Sequence, residues 1–145
     1  MTYSELMLAP MRKELTSLGF AELRSPQDVD AFMEANKDGT ALLVVNSICG
    51  CAAGSLRPAL ARALASAPRP QALATVFAGQ DIEATERARQ LFVGYSPSSP
   101  AAALFKDGEL VMMLERHQIQ GRPPAMLAEE LGASFTRVFG VGATV

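Results

Sequence analysis

Cys49 and Cys51 are the only thiols in the chain, and a single residue, Gly50, separates them. An apolar run, 41–45, leads into the pair and a helix-like run, 52–67, leads away from it. A cysteine at a strand-to-helix junction faces backbone N–H groups that lack intrahelical partners, at the positive end of the helix dipole. That setting favours thiolate over thiol, and the thiolate is the reactive form. The spacing therefore predicts a redox or nucleophilic site, with Cys49, nearer the loop, as the exposed nucleophile. Two cysteines can also behave as small buried hydrophobes, but the intervening glycine and the junction position favour reactive thiols. Asn46 and Ser47, just upstream, are helix-capping types that would fix the N–H groups facing Cys49.

Metal chemistry is narrowly bounded. Zinc or an iron–sulfur cluster takes about four protein ligands, and two Cys with one His fall short unless two chains combine. No metal site is expected. Two thiolates do suit a soft ion such as Cu(I), which leaves a Cu(I)-binding module as a rival, beside a binding protein whose thiols do not turn over. His117 is the one imidazole, and a lone His near a strand end is more often structural. The methionines fit packing better than a ligand site.

The scaffold around these thiols has 145 residues, 49% of them apolar and 19% charged, which suits one domain with a real core. A net charge of −2 leaves no basic footprint for nucleic acid. No apolar run approaches the ~20 residues of a membrane helix, and Met1 to Glu5 lacks the start of a signal peptide. The expectation is a cytoplasmic protein with no membrane or nucleic-acid partner and no feature that specifies an oligomeric state. In that reducing compartment, closely spaced cysteines point to catalysis or metal rather than to a structural disulfide.

The elements that must hold the thiols are readable from periodicity. Leu6, Met7, Met11, Leu15 and Leu18 predict an amphipathic helix over 3–18, with Pro10 near its start or bending it, and Gly19 as its stop. Ser25-Pro26 reads as a cap and first helical residue, followed by Val29, Phe32 and Met33 on the buried side. Residues 40–45 predict a strand buried on both faces. After the cysteines, Leu56, Leu60 and Leu64 line a helix in which Pro58 should cause a kink. A second strand over 72–78, a turn and cap at Gly79-Gln80-Asp81, and a charged helix over 82–92 with a Glu83–Arg87 pair come next. Strands over 101–105 and 109–115 flank the hairpin signal Lys106-Asp107-Gly108. A last helix has Met126, Leu127, Leu131, Phe135 and Val138 as its apolar side.

This order, with a Cys-bearing helix start after the first strand and a proline before the hairpin, resembles the thioredoxin fold. The run from Pro100 through Ala101-Ala102-Ala103-Leu104-Phe105-Lys106-Asp107-Gly108 to Glu109 is similar to the thioredoxin succession of cis-proline, apolar strand, Phe-Lys, turn and Glu. Cys49-Gly50-Cys51 replaces the Cys-x-x-Cys of thioredoxins, and the chain has no Trp to precede it. With the run from Asn46 to Gly54, Arg57-Pro58-Ala59, the run from Thr75 to Asp81, Pro97-Ser98-Ser99-Pro100 and Arg116-His117, that motif resembles the bacilliredoxins. These are small bacterial thioredoxin-like proteins that carry Cys-Gly-Cys. The likeness runs to about Glu130. Gln120, where an acid would be expected, and the longer C-terminal end depart from it.

The resemblance implies an α/β, thioredoxin-like fold: a central mixed four-stranded sheet flanked by helices, with extra N-terminal helices. One domain would cover 1–145, with 136–145 as a frayed tail. The implied activity is that of a thiol–disulfide oxidoreductase that takes bacillithiol, a low-molecular-weight thiol, from mixed disulfides on client proteins. Bacillithiol would be a co-substrate, with no resident cofactor. Cys49 would attack, and either Cys51 or a second small thiol would resolve the adduct. Family members have also been viewed as disulfide isomerases, so a general isomerase or reductase shares the same residues. Gly50, Ser99 and Pro100 are the implied substrate-binding positions. Gly50 would let the short Cys49–Cys51 ring close, and Pro100, in cis, would leave the preceding backbone free to pair with a substrate strand. Ser98 and Ser99 would hold substrate or simply cap the turn.

Overall fold

The structure, a computed structural model, describes residues 4–66 and 68–139. Ser4 caps helix α1 (Glu5–Thr16), its side chain accepting the Met7 N–H. Pro10 lies inside the helix, and Gly19 follows its end at a φ of 103°, a conformation open to glycine. A two-residue strand β1 (Ala21–Glu22) precedes α2 (Pro26–Ala35), which Ser25 caps by accepting the Asp28 N–H. Strand β2 (Thr40–Asn46) then ends at the Cys loop. Beyond the cysteines the chain makes one π-helical turn (Ala52–Leu56) and continues as α3 (Arg57–Ser66). The kink expected at Pro58 takes the form of this wider turn. The Arg57 N–H reaches back to the Ala52 carbonyl, and Pro58, which has no N–H to give, follows it.

β3 (Ala72–Phe77), α4 (Ile82–Gln90), β4 (Ala101–Lys106) and β5 (Glu109–Leu114) come next. Asp107 and Gly108 join the last two strands at φ values of 52° and 83°, the left-handed pair that a two-residue hairpin turn requires. A short helix α5 (Arg116–Ile119) and the long α6 (Pro124–Phe139) complete the described chain. No helix among the described residues is long and apolar enough to cross a membrane.

The strands form one five-stranded sheet in the order β1-β3-β2-β4-β5. β1 and β2 run parallel to β3, while β4 is antiparallel to both β2 and β5. The expected sheet has four strands. The fifth, β1, pairs through Ala21 and Glu22 alone, too short a run to show any alternation. Side chains of β2 alternate between two cores, as a strand's period of two requires. Leu42 and Val44 pack with Leu15, Leu60 and Leu131 of α1, α3 and α6, whereas Leu43 and Val45 pack with Val29 of α2 and Ala88 of α4. Each fully buried leucine contributes about 1.5–3 kcal/mol, so β2 is held from both sides and its end is a firm base for the loop.

Several local expectations are corrected. The buried line of α1 is Leu8, Arg12 and Leu15, while Leu6 is 87% exposed. Hydrophobic periodicity does not find a face that runs through an arginine. In α6, Met126 faces solvent, and Leu127, Leu131, Ser134 and Phe135 are buried. Arg87 pairs with Asp30 of α2 rather than with Glu83. Asp81 stands at the cap position of α4 without capping it, because its carboxylate is bound to Arg12. The expected frayed tail over 136–145 is helical through Phe139, and 140–145 lie outside the described residues. Tyr3 and Ala67, the expected ends of two helices, also lie outside them.

Candidate active site

β2 delivers the Cys loop to one end of the sheet. β4 delivers Pro100 to the same end, because Val45 and Ala101 are partners in the antiparallel ladder. The Ser99–Pro100 peptide is cis, with Pro100 buried and Ser99 half-buried. Ser98 accepts the Arg116 N–H through its Oγ at 2.6 Å, which ties the loop before β4 to the start of α5.

Cys49 and Cys51 are free thiols, both half-buried, with Gly50 exposed between them. Their Sγ atoms lie 3.2 Å apart in a hydrogen bond, and the Cys51 N–H donates to Cys49 Sγ at 3.4 Å. The Cys49 carbonyl accepts the Ala52 N–H at 3.0 Å and the Ala53 N–H at 3.3 Å, so Cys49 occupies the cap of the helical segment.

This geometry splits the two thiols. The Cys51 N–H is the main influence that pulls the Cys49 pKa below the ordinary cysteine value. The Cys51 thiol helps, burial opposes, and the charge of Arg116 and the Ala52 N–H lower it further. Cys51 moves the other way, mainly because its proton is shared with Cys49, then through burial and the charge on Cys49, with Arg116 opposing. The first proton to leave the pair therefore leaves from Cys49. Cys51 keeps its proton and packs against the core cluster that contains Leu56 and Leu60.

The residues before Cys49 are held as a network. Ser47 Oγ accepts the Cys49 N–H at 3.0 Å, which holds the Cys49 backbone but does not cap the helix as expected, because Cys49 itself stands at the cap. Asn46 does not cap the helix. Its Oδ1 accepts the Ser47 N–H at 2.8 Å and the Arg57 Nη1 at 2.8 Å, and its Nδ2 donates to the Met11 carbonyl at 3.3 Å. Arg57 also donates to the Ser47 carbonyl at 2.9 Å and, through Nε, to Glu14 at 3.0 Å. Gly50 does not use its conformational freedom in this dithiol form. Its φ is not positive, and a Cβ there would meet nothing within 4 Å.

Arg57 and Arg116 escaped the reading of the sequence. Both stand in blocks that carry the family resemblance, which is the one signal that marks them. Neither hydrophobic spacing nor charge patterning places a guanidinium under a loop or beside a thiol. Among the described residues no group of three or more His, Cys, Asp or Glu side chains is placed to hold a metal ion. The two thiols are the donors a soft ion would use.

Comparison with known proteins adds independent findings. Residues 3–138 match the model of the family described as disulphide isomerase. A bacilliredoxin of Salinibacter ruber is 51% identical over 141 residues, 97% of this chain and 83% of that protein. A bacilliredoxin of Geobacillus kaustophilus is 53% identical over 124 residues, 86% of this chain and 84% of its own. Among solved structures, mitochondrial thioredoxin 3 of Saccharomyces cerevisiae superposes with a TM-score of 0.54 at 17% identity, covering 83% of this chain and 98% of that one. The oxidised thioredoxin of Plasmodium falciparum gives 0.53 at 16% identity, covering 79% and 99%. The architecture is thus a thioredoxin fold.

Proposed function

The chain belongs to the bacilliredoxin family and is a thiol–disulfide oxidoreductase, and from that premise we propose that it removes bacillithiol from mixed disulfides on client proteins. The observation that carries this reading is the asymmetric thiol pair, with Cys49 held as the better thiolate by the Cys51 N–H. The Cys49 thiolate attacks the bacillithiol sulfur of the mixed disulfide. A Cys49–bacillithiol bond forms, the old disulfide breaks, and the client leaves as a thiolate that takes a proton from water. Cys51 then loses its proton and attacks Cys49, which closes a Cys49–Cys51 disulfide and frees bacillithiol as a thiolate. Alternatively, a second bacillithiol thiolate attacks the adduct, leaving as the symmetric small-thiol disulfide and restoring Cys49.

Ser99 and Pro100 are the proposed substrate contacts, directly before the strand β4 that pairs with β2 beside the Cys loop. Gly50, exposed between the thiols, is the third. Asn46 and Ser47 act indirectly, by holding the Cys49 backbone. The reaction runs in the cytoplasm on S-bacillithiolated proteins, with bacillithiol as co-substrate and no resident cofactor. The family description favours a second reading on the same residues, a general disulfide isomerase or reductase.

Intact-mass spectrometry of reduced protein mixed with a bacillithiol-capped client tests the proposal. Cys51→Ser should accumulate a Cys49–bacillithiol adduct while the client is freed, and Cys49→Ser should leave the client capped. If no variant takes the small thiol, yet wild type reduces or reshuffles ordinary protein disulfides, the second reading replaces the first. The pH dependence follows from the split thiols. Iodoacetamide at pH 7 should label Cys49 well before Cys51, and labelling of Cys51 should rise only as the pH passes the ordinary cysteine range. Peptide mapping would show the order, and equal labelling at pH 7 would remove the basis for the assigned roles.

A further inference from the structure

We propose that Arg57 is the positioning residue of the Cys49 loop, its guanidinium clamping Asn46 and Ser47 so that the Cys49 backbone has one geometry. The proposal rests on the reading of Cys49 as the attacking thiol.

Arg57 is 4% exposed, and a buried cation is unfavourable unless hydrogen-bonded or paired. Its carboxylate partner, Glu14, is half-exposed, so solvent screens that pair. The contacts from Nη1 go to neutral oxygens of two successive residues, Asn46 Oδ1 at the end of β2 and the carbonyl of Ser47 at the start of the loop. Ser47 lies beyond the last ladder residue of β2. Its carbonyl would otherwise be a buried acceptor without a partner, an expensive state. With Arg57 in place, the Ser47 N–H, carbonyl and Oγ are all engaged: to Asn46, to Arg57 and to the Cys49 N–H.

The position of Arg57 gives the clamp its reach. It stands at the start of α3, directly after the π-helical turn that follows Cys51. The guanidinium therefore ties the strand side of the loop to its helix side, with Cys49 between them. α1 braces the arrangement twice, through Glu14 on Arg57 and the Met11 carbonyl on Asn46. The planar guanidinium turns Nη1 to Asn46 and Ser47 while its Nε is held by Glu14, a fixed orientation that a single ammonium on a flexible stem does not reproduce. The charged and titratable groups that act on Cys49 are Cys51 and Arg116. Arg57 and Glu14 lie beneath the loop as an opposite pair, so Arg57 supplies geometry rather than charge.

The test is the rate of Cys49 alkylation by iodoacetamide against pH, measured in a Cys51→Ser background so that a single thiol titrates. It needs neither client nor bacillithiol, so its outcome is separable from that of the proposed function. Arg57→Lys, which keeps the charge, should slow alkylation at pH 7 by roughly fivefold to tenfold and move the pH midpoint up. Arg57→Met should do the same. Ser47→Ala, which removes the Cys49 N–H acceptor, should shift the profile in the same direction. Combined with Arg57→Lys it should add little, because both act through one device. Should Arg57→Met fail to fold, the lysine and Ser47 variants still decide. Wild-type rates in Arg57→Lys would mean that charge suffices, and additive effects with Ser47→Ala would mean two separate devices; either result overturns the proposal.

Discussion

Two buried arginines stand near the end of the sheet that carries the thiols, and their hydrogen bonds are satisfied in opposite ways. Arg12 of α1 meets three carboxylates, Asp81 at 2.9 Å, Glu5 at 3.1 Å and Glu22 at 3.6 Å, and its guanidinium lies 5.1 Å from the centre of the Phe77 ring. Burial alone would lower its pKa, but the hydrogen bonds and charges of Asp81 and Glu5 outweigh burial and leave it raised. Arg57 meets one half-exposed carboxylate and two neutral oxygens where β2 passes into the Cys loop. Arg12 thus joins α1 to β1 and to the turn before α4, whereas Arg57 holds the shape of a single loop. Residue type and burial are the same; the partners decide whether a buried cation serves the fold or the site.

The largest expected effect comes from removing the better-neutralised of the two. Arg12→Met leaves Asp81, which is only 10% exposed, without its partner. Breaking a buried pair in this way costs about 3–5 kcal/mol, which a urea unfolding curve would show as a lower midpoint at unchanged slope. Cys49 alkylation in the protein that remains folded should stay within about twofold of wild type, since the hydrogen bonds and ion pairs of Arg12 among the described residues go to Glu5, Glu22 and Asp81. A slowing as large as that of the Arg57 variants would break the contrast, because both arginines would then act on the thiol.

These arginines also mark where sequence reading stops. The apolar run of β2, the Ser25-Pro26 cap, the leucine line of α3 and the Asp107-Gly108 turn follow local rules, and each was legible. The Cys49-Gly50-Cys51 spacing and its place at a strand-to-helix junction were legible too, as was the cis bond before Pro100 by resemblance. What stayed hidden depends on contacts far apart in the chain. Arg12 reaches Asp81 across 69 positions, and that contact moved the buried face of α1 and cost α4 its expected cap. Arg57 reaches Glu14 across 43 positions. The strand β1 exists because β3 offers an open edge, not because two residues announce a strand.

A smaller effect sharpens the contrast from the acid side. Asp81→Asn keeps the size of the side chain and one acceptor for Arg12 but removes the charge. The loss should be about 1.5 kcal/mol, the scale of a hydrogen bond to a charged group rather than of an orphaned ion. Thermal unfolding beside Arg12→Met would rank the two. A loss equal to that of Arg12→Met would mean that charge neutralisation, and not the orphaned carboxylate, dominates this cluster.

The smallest effect should fall on Glu14, and its smallness is what separates the two arginines. Glu14 is 48% exposed, so its charge is screened and the pair is worth less than about 0.5 kcal/mol. In Glu14→Gln the side-chain carbonyl can still accept the Arg57 Nε–H, and the two loop oxygens remain bound to Nη1. Stability should barely move, and Cys49 alkylation at pH 7 should stay within about twofold of wild type. If Glu14→Gln instead slows alkylation as strongly as Arg57→Lys, the clamp depends on charge balance beneath the loop. Arg57 would then work as Arg12 does, through its acid, and the Nη1 contacts to Asn46 and Ser47 would be a consequence of the ion pair rather than the device that fixes Cys49.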